Sequence, residues 1–252
     1  MIVKNKTRIK VQALVIKEMN IGDADKLLTL LSKELGVIKA FSSGSKNIKS
    51  KRFSASSLLT YAEFSLIKVN DTYKIHEAEV IKSFFNAGID ICVLSLAQYF
   101  CELALNYTPS ETESHEYLRL FLNSLDQITN KNRNLFLIKA ITELRLMKLA
   151  GYMPNLIACD NCAKYEDDIM YFDIKTGNLY CNNCKNGTAF EKTINKTILD
   201  SLRHIVFCDF SKLYSFDIPE ESAILLSKIT EEYVILRSER SFLTLSFFKN
   251  LF

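Results

Sequence analysis

Four cysteines stand as two Cys-x-x-Cys pairs, Cys159 with Cys162 and Cys181 with Cys184, and eighteen residues separate the pairs. Few patterns constrain a chain more. Two residues between ligands let a tight turn aim both sulfurs at one ion. Eighteen suffice for a short hairpin that brings the second turn beside the first. Residues 169–173 and 178–180 read as its strands, turning at Thr176-Gly177. Four thiolates close a tetrahedral sphere, so the pattern predicts a structural Zn2+ and no position open to water. A redox motif needs one pair at a helix start, not two pairs. The zinc-deaminase signature also fails, because no His-x-Glu occurs at His76, His115 or His204. Cys92, Cys101 and Cys208 fall in apolar helical segments and read as core. An odd total of 7 cysteines favours a reducing compartment. With no apolar run of membrane-spanning length and no leader-like start, the expectation is a cytoplasmic protein.

The net charge of +3 hides an asymmetry. Residues 1–80 hold 14 Lys and Arg against 8 Asp and Glu, whereas 81–252 hold 18 against 21. A basic N-terminal module of this kind faces a polyanion or is a solvated lysine surface. Residues 8–19 alternate and read as a strand, 37–42 as another, and 58–69 with 72–82 as a pair joined at Asn70-Asp71. Between the first two, 25–35 carries Leu27, Leu28, Leu30, Leu31 and Leu35 at helical spacing, with Gly36 as a stop, and predicts a helix. Mostly strands with one short helix fits a small Greek-key barrel such as an OB-fold. From Gly88 the period becomes helical: to about 107, then 111–128, 135–150, 193–208 and 219–237, with a Phe-rich tail.

The expected fold class is therefore α+β and multi-domain. Residues 1–82 form an OB-fold nucleic-acid-binding domain. Residues 83–252 form a mainly helical domain with an inserted zinc module at 155–190.

Residues 43–57 lack apolar periodicity and read as an exposed loop. Between Glu34 and Glu63 there is no acidic residue, while Lys39, Lys46, Lys49, Lys51 and Arg52 lie there with Phe41, Phe53, Tyr61 and seven serines from Ser42 to Ser57. Cations neutralise phosphates, hydroxyls hydrogen-bond them, and aromatic rings stack on unpaired bases. No recognition-helix motif suggests sequence-specific reading. Gly44-Ser45-Lys46 lacks the upstream glycine of a phosphate loop, and no nucleophile elbow occurs. The expectation is a binding protein and not an enzyme, with no small-molecule substrate. Two other classes stay open: a zinc-ribbon RNA-binding or transcription accessory protein, and a protein-interaction scaffold that does not bind DNA.

Three segments together resemble the bacterial RecO recombination mediators. They are Gly22-Asp23-Ala24-Asp25-Lys26-Leu27-Leu28-Thr29-Leu30-Leu31 running on to Glu34-Leu35-Gly36, the basic stretch from Gly44 through Ser50 to Phe53, and Leu149-Ala150-Gly151-Tyr152-Met153-Pro154-Asn155-Leu156 leading to Cys159 and Cys162. Tyr99 and Glu102-Leu103 fit the family's first long helix. The approach Gly-Tyr-x-Pro-x-Leu to the first cysteine is the most specific part. The chain departs from the family at Ser43, where a basic residue is common, and at Ala163, where glycine is common. The resemblance implies DNA repair and recombination by binding alone. Such a protein binds single- and double-stranded DNA, anneals complementary strands and, with RecR, helps load RecA on DNA coated by single-stranded-DNA-binding protein. It implies a cytoplasmic, nucleoid-associated protein whose helical domain offers an apolar groove to the tail of that coating protein. On this reading Lys39, Lys46, Lys49, Lys51 and Arg52 neutralise phosphates, and Lys26 either extends the basic face or packs the helix.

Overall fold

A computed structural model describes residues 8–47, 51–85, 88–131, 133–238 and 240–252. In chain order its elements are β1 (Arg8–Ile21), β2 (Asp25–Ser32), β3 (Gly36–Ser42), α1 (Lys51–Ala55), β4 (Thr60–Val69), β5 (Thr72–Ser83), α2 (Ile91–Tyr107), α3 (His115–Thr129), α4 (Leu135–Leu149), β6 (Asn155–Cys159), β7 (Met170–Asp173), β8 (Asn178–Cys181), β9 (Glu191–Ile194), α5 (Lys196–Phe207), α6 (Glu220–Ser238) and α7 (Leu243–Lys249).

The first five strands close a barrel in the order β1-β2-β3-β5-β4. All neighbours are antiparallel except β3 with β5, which pair in parallel at Ala40↔Tyr73 and Phe41↔Lys74. This is the OB-type barrel that strand content predicts. Val11, Ala13, Val15, Leu28, Leu30, Ile38, Ala40, Phe64, Leu66, Tyr73 and Ile75 fill it. A bulge between Val15 and Lys17 bends β1, so that its first half pairs with β4 and its second with β2.

The helix expected over 25–35 is instead strand β2 and the turn after it. Its five leucines satisfy two periods at once. Leu28 and Leu30 point into the barrel; Leu27 and Leu31 point out, and Leu31 is still buried. Eight residues are few for a helix, and sharp turns at both ends favour a strand meander. Gly36 does not stop a helix. It sits at φ +60 beside the loop that follows α2, where an added Cβ would lie 2.0 Å from the Pro109 carbonyl oxygen. The stretch 43–57 is not all loop either, since α1 lies within it.

Two compact units form: Met1–Thr129 with Phe242–Phe252, and Asn130–Ser241. In the first, α2 starts on Asp90, whose carboxylate accepts the Cys92 and Val93 N–H groups. The C-terminal α7 packs on α2: Phe242 meets Tyr99 edge-on at 5.6 Å, and the Glu102 carboxylate accepts the N–H and hydroxyl of Thr244. Cys101 is buried as core, but Cys92 is only half-buried, at the first turn where α2 meets solvent; in the second unit Cys208 is half-buried too.

The second unit packs α4, α5 and α6 with a four-stranded sheet in the order β6-β8-β7-β9. The expected hairpin is β7 and β8. Asp173 holds its turn by accepting the Lys175 and Thr176 N–H groups, and Gly177 closes it at φ +80. Strand β9 goes beyond the expected elements; it pairs with β7 just before Asn195 caps α5. The Gly-Tyr-x-Pro-x-Leu approach gains a physical role. Gly151, at φ +86, ends α4 while the Tyr152 N–H reaches back to the Met147 carbonyl at 2.8 Å. The Tyr152 carbonyl then accepts the Tyr233 hydroxyl of α6 at 2.9 Å, and Leu156 is buried.

Candidate metal centre and nucleic-acid interface

Cys159 ends β6 and Cys181 ends β8, and these strands lie side by side. Each is followed by a turn that folds back onto it. The Ala163 N–H bonds the Cys159 carbonyl at 2.9 Å, and the Cys184 and Lys185 N–H groups bond the Cys181 carbonyl at 3.0 and 3.1 Å. The turns deliver Cys162 and Cys184 to the same point, and all four Sγ atoms lie within 4.8 Å of one another. Cys162 Sγ is 3.6 Å from Cys181 Sγ.

The electrostatics suit a cation. Burial opposes ionisation of Cys159, but the backbone N–H groups of Cys181, Cys162 and Asn161 aimed at its sulfur overcome this and bring its thiol down to about 6. Cys184 is pushed up to about 12 by the neighbouring thiols of Cys181 and Cys162. N–H donors favour one sulfur as the anion, and hydrogen bonding with its neighbours favours another as the thiol. A four-sulfur donor set fits a tetrahedral metal ion.

Arg203 of α5 supports the centre, and the cysteine spacing gives no hint of it. Its Nε donates to the Leu156 carbonyl at 2.8 Å, and its Nη2 donates to those of Ile157 and Tyr165 at 2.9 and 2.6 Å. One guanidinium thus ties both chain segments around the first cysteine pair to one helix.

In the barrel, the basic stretch after β3 is pinned to the β1–β2 turn. Asp25 Oδ1 accepts the Gly44 N–H at 2.7 Å, the Ala24 carbonyl accepts the Lys46 N–H at 3.0 Å, and Lys46 Nζ reaches the Gly22 carbonyl at 2.9 Å. Ser42 and Ser56 hydroxyls meet at 3.1 Å, and the Ser45 hydroxyl donates to the Ser42 carbonyl at 2.9 Å. Lys39 is exposed on β3. Arg52, on α1, is half-exposed with Nη1 3.5 Å from the Ile75 carbonyl. Lys49 and the side chain of Lys51 lie outside the described residues.

Lys26 stands on strand β2 and not on a helix. It is 8% exposed, with Nζ 2.9 Å from Glu18 and 5.7 Å from the Phe53 ring centroid.

The strand character of β2 exposes a pattern hidden while 25–35 is read as a helix. On the outer barrel face, Lys17, Thr29 and Lys39 are cross-strand neighbours on β1, β2 and β3. Two residues along, Met19, Leu27, Phe41 and Lys74 form a second row across β1, β2, β3 and β5. Nothing in the sequence singles out Lys17 or Lys74. The histidines are dispersed: His76 beside Arg8, His115 beside Glu116, and His204 against the Lys212 carbonyl.

A closed five-stranded barrel with a basic connection, followed in the same chain by helices and a four-cysteine centre, defines a class of protein built by joining two modules. Comparison with known families makes the class specific. The family described as "Recombination protein O N terminal" matches residues 6–84, and "Recombination protein O C terminal" matches 90–245. The chain is 31% identical over 243 residues to "DNA repair protein RecO" of Acetivibrio thermocellus, covering 96% of this chain and 97% of that one. Against "DNA repair protein RecO" of Caldicellulosiruptor saccharolyticus it is 28% identical over 241 residues, covering 96% and 98%. The Dehalococcoides mccartyi protein of that name is 30% identical over 213 residues, covering 84% of this chain and 83% of its own. The chain belongs to the RecO family of DNA repair proteins.

Proposed function

We propose that this protein is a non-enzymatic recombination mediator that binds single- and double-stranded DNA and anneals complementary strands. With a RecR-like partner it helps place RecA on DNA coated by single-stranded-DNA-binding protein. The observation that carries the DNA-binding part is the acid-free stretch after β3. It is pinned at Gly44 and Lys46 to the β1–β2 turn, between exposed Lys39 on β3 and Arg52 on α1. Lys39, Lys46, Lys49, Lys51 and Arg52 would then neutralise phosphates on two strands and lower the repulsion that keeps them apart. Residues 1–82 are the nucleic-acid-binding domain on this reading, and the helical domain within 83–252 would offer an apolar groove to the tail of the single-stranded-DNA-binding protein.

Cys159, Cys162, Cys181 and Cys184 would hold a Zn2+ as a clamp for residues 155–190. Its chemistry there is cross-linking: bound to four thiolates, it joins the two turns without a covalent bond between them.

The test is strand annealing by a variant with Lys46, Lys49, Lys51 and Arg52 all changed to Glu. Annealing should fall steeply, and the salt dependence of DNA binding should flatten. Unchanged annealing with an unchanged salt slope would sink the proposal. Equal affinity for RNA together with no annealing by the parent protein would favour an RNA-directed role.

A further inference from the structure

We infer that Cys162 is the oxidant-sensitive position of the metal centre: attack by a hydroperoxide there closes a disulfide with Cys181, releases the ion and leaves the module folded. The inference rests on the clamp reading above and adds reversible redox control to it.

The four sulfurs are unequally shielded. Cys159 and Cys181 end their strands and are 3% and 1% exposed, and Cys184 is half-buried. Cys162 is exposed, and so are its neighbours from Asp160 to Tyr165. The cause is local. Strand β6 ends at Cys159, and the turn beyond it closes on itself: the Cys159 N–H donates to the Lys164 carbonyl and the Ala163 N–H to the Cys159 carbonyl, both at 2.9 Å. Cys162 stands within that turn, past the strand that shields its partners. A small polar oxidant therefore reaches this sulfur before the other three.

The geometry also names the second sulfur. Cys181 Sγ lies 3.6 Å from Cys162 Sγ. Two thiolates on one tetrahedral ion stand about 3.8 Å apart, so metal binding and disulfide closure draw on nearly the same arrangement. Closing a bond of about 2 Å needs only a small shift of an exposed turn.

The Cys162 thiolate attacks one peroxide oxygen. An S–O bond forms, the O–O bond breaks, and the leaving hydroxide or alkoxide takes a proton from solvent. The Cys181 thiolate then attacks the Cys162 sulfur. The S–S bond forms, the S–O bond breaks, and a hydroxide leaves and is protonated. Two thiolates lose two electrons, and one hydroperoxide is reduced to water, or to water and an alcohol. Cys159 and Cys184 remain, and two thiolates are too few to close a tetrahedral sphere. A dithiol reductant restores both thiols by exchange and leaves as its own disulfide.

The crossed pairing decides the oxidised structure. A Cys162–Cys181 bond joins the same two turns that the ion joins, whereas a bond within either Cys-x-x-Cys pair leaves them apart. Contacts independent of the sulfurs hold β6 in place: the Asp160 N–H on the Leu179 carbonyl and the Asn155 N–H on the Gly177 carbonyl, each at 2.8 Å, and Arg203 on the Leu156 and Ile157 carbonyls. Only the Cys184 turn loses its anchor, so loosening is confined to residues 182–190.

The test takes the full chain with its metal, adds hydrogen peroxide stepwise, reads Zn2+ release with a chromogenic chelator and maps disulfides by mass spectrometry. One ion should be released per Cys162–Cys181 disulfide, and dithiothreitol with added Zn2+ should restore binding. The oxidised protein should resist protease over residues 155–181, where the chelated, reduced protein is cut. Brief maleimide treatment should label Cys162 before Cys159 and Cys181. The other cysteines are internal controls: Cys101 is buried, which pushes its thiol up to about 12, and Cys92 and Cys208 are half-buried. The inference is overturned if Zn2+ leaves without that disulfide, if the bond forms within one Cys-x-x-Cys pair, if Cys92 or Cys208 is oxidised before any ion is released, or if reductant fails to restore binding. A chain that holds metal and keeps it under excess peroxide refutes the redox site alone. A chain that never binds metal refutes the clamp reading, and the redox site with it.

Discussion

Asp25 accepts the backbone N–H of Gly44 through Oδ1 at 2.7 Å, and this bond fixes where the basic stretch leaves the barrel. Removing the acceptor leaves a part-buried N–H without its partner, at a cost of about 1 kcal/mol. Charge works in the opposite sense, because deleting an acid beside lysines should strengthen phosphate binding. Asp25→Asn and Asp25→Ala both lose the charge, but only Asn keeps an acceptor. The expected outcome is faster amide exchange at Gly44 and Lys46 in Asp25→Ala than in Asp25→Asn, with DNA affinity lower in the alanine variant. Equal exchange in the two would show that the loop is held by its other bonds.

Ala163 occupies the left-handed region at φ +58, directly after Cys162. A β-carbon there costs about 1 kcal/mol that glycine avoids. Ala163→Gly should therefore raise the stability of the second unit by no more than about 0.5 kcal/mol, after the larger unfolded-state entropy of glycine is subtracted. Leu59 also has positive φ, at 61, but its side chain is fully buried. Leu59→Gly should instead destabilise by about 2 kcal/mol or more, because lost burial exceeds relieved strain. Urea denaturation of both variants checks the pair. A destabilised Ala163→Gly would show that the turn needs its methyl group.

The four-cysteine centre was legible from spacing because each Cys-x-x-Cys pair is a local turn, and local geometry survives translation from sequence. The β7–β8 hairpin and helices α2 to α6 were legible for the same reason, each carrying its own period. Strand β2 was not. Within Leu27–Leu28–Leu30–Leu31 a helical stripe and a two-sided strand are the same letters, and the choice is made by β1 and β3 on either side. The cross-strand rows follow from the strand and not from the letters, since Lys17 and Lys39 become neighbours only through Thr29. Arg203 was invisible because its three carbonyl partners lie 38 to 47 residues away in sequence. For Lys26 the letters leave the basic face and packing equally open, because its burial against Glu18 comes from the neighbouring strand β1.

If the four cysteines clamp a metal, Cys162→Ala should loosen the module before it affects DNA contact. The expected result is increased proteolysis or amide exchange confined first to residues 155–190, with barrel amides unchanged. Chelation should reproduce the effect. Acid should too: thiolates bind metal and thiols do not, so metal is held at neutral pH and released as protons compete for sulfur on acidification. Metal content measured against pH, alongside exchange, checks the sequence of events. A Cys162→Ala protein fully ordered without metal would refute the clamp.

Lys139 is 1% exposed within α4, and its ammonium lies 2.9 Å from Glu143 and 3.0 Å from Glu231 of α6. The Ser227 carbonyl and hydroxyl accept from it as well, at 3.3 and 3.2 Å, while Thr230 donates to Glu143 at 2.7 Å. Desolvating three ionised groups is costly, and their mutual attraction repays it only while all are present. Lys139→Met should therefore destabilise the second unit by about 3–5 kcal/mol, by leaving two carboxylates facing each other in an apolar core. The triple change Lys139→Met, Glu143→Leu, Glu231→Leu removes the charges together and should recover most of that loss. Denaturant midpoints of the single and triple variants decide the matter. If the triple variant is as unstable as the single one, shape and not charge balance holds α4 against α6. If it recovers, the buried ions add little net stability, and their role is to fix the register in which the two helices meet.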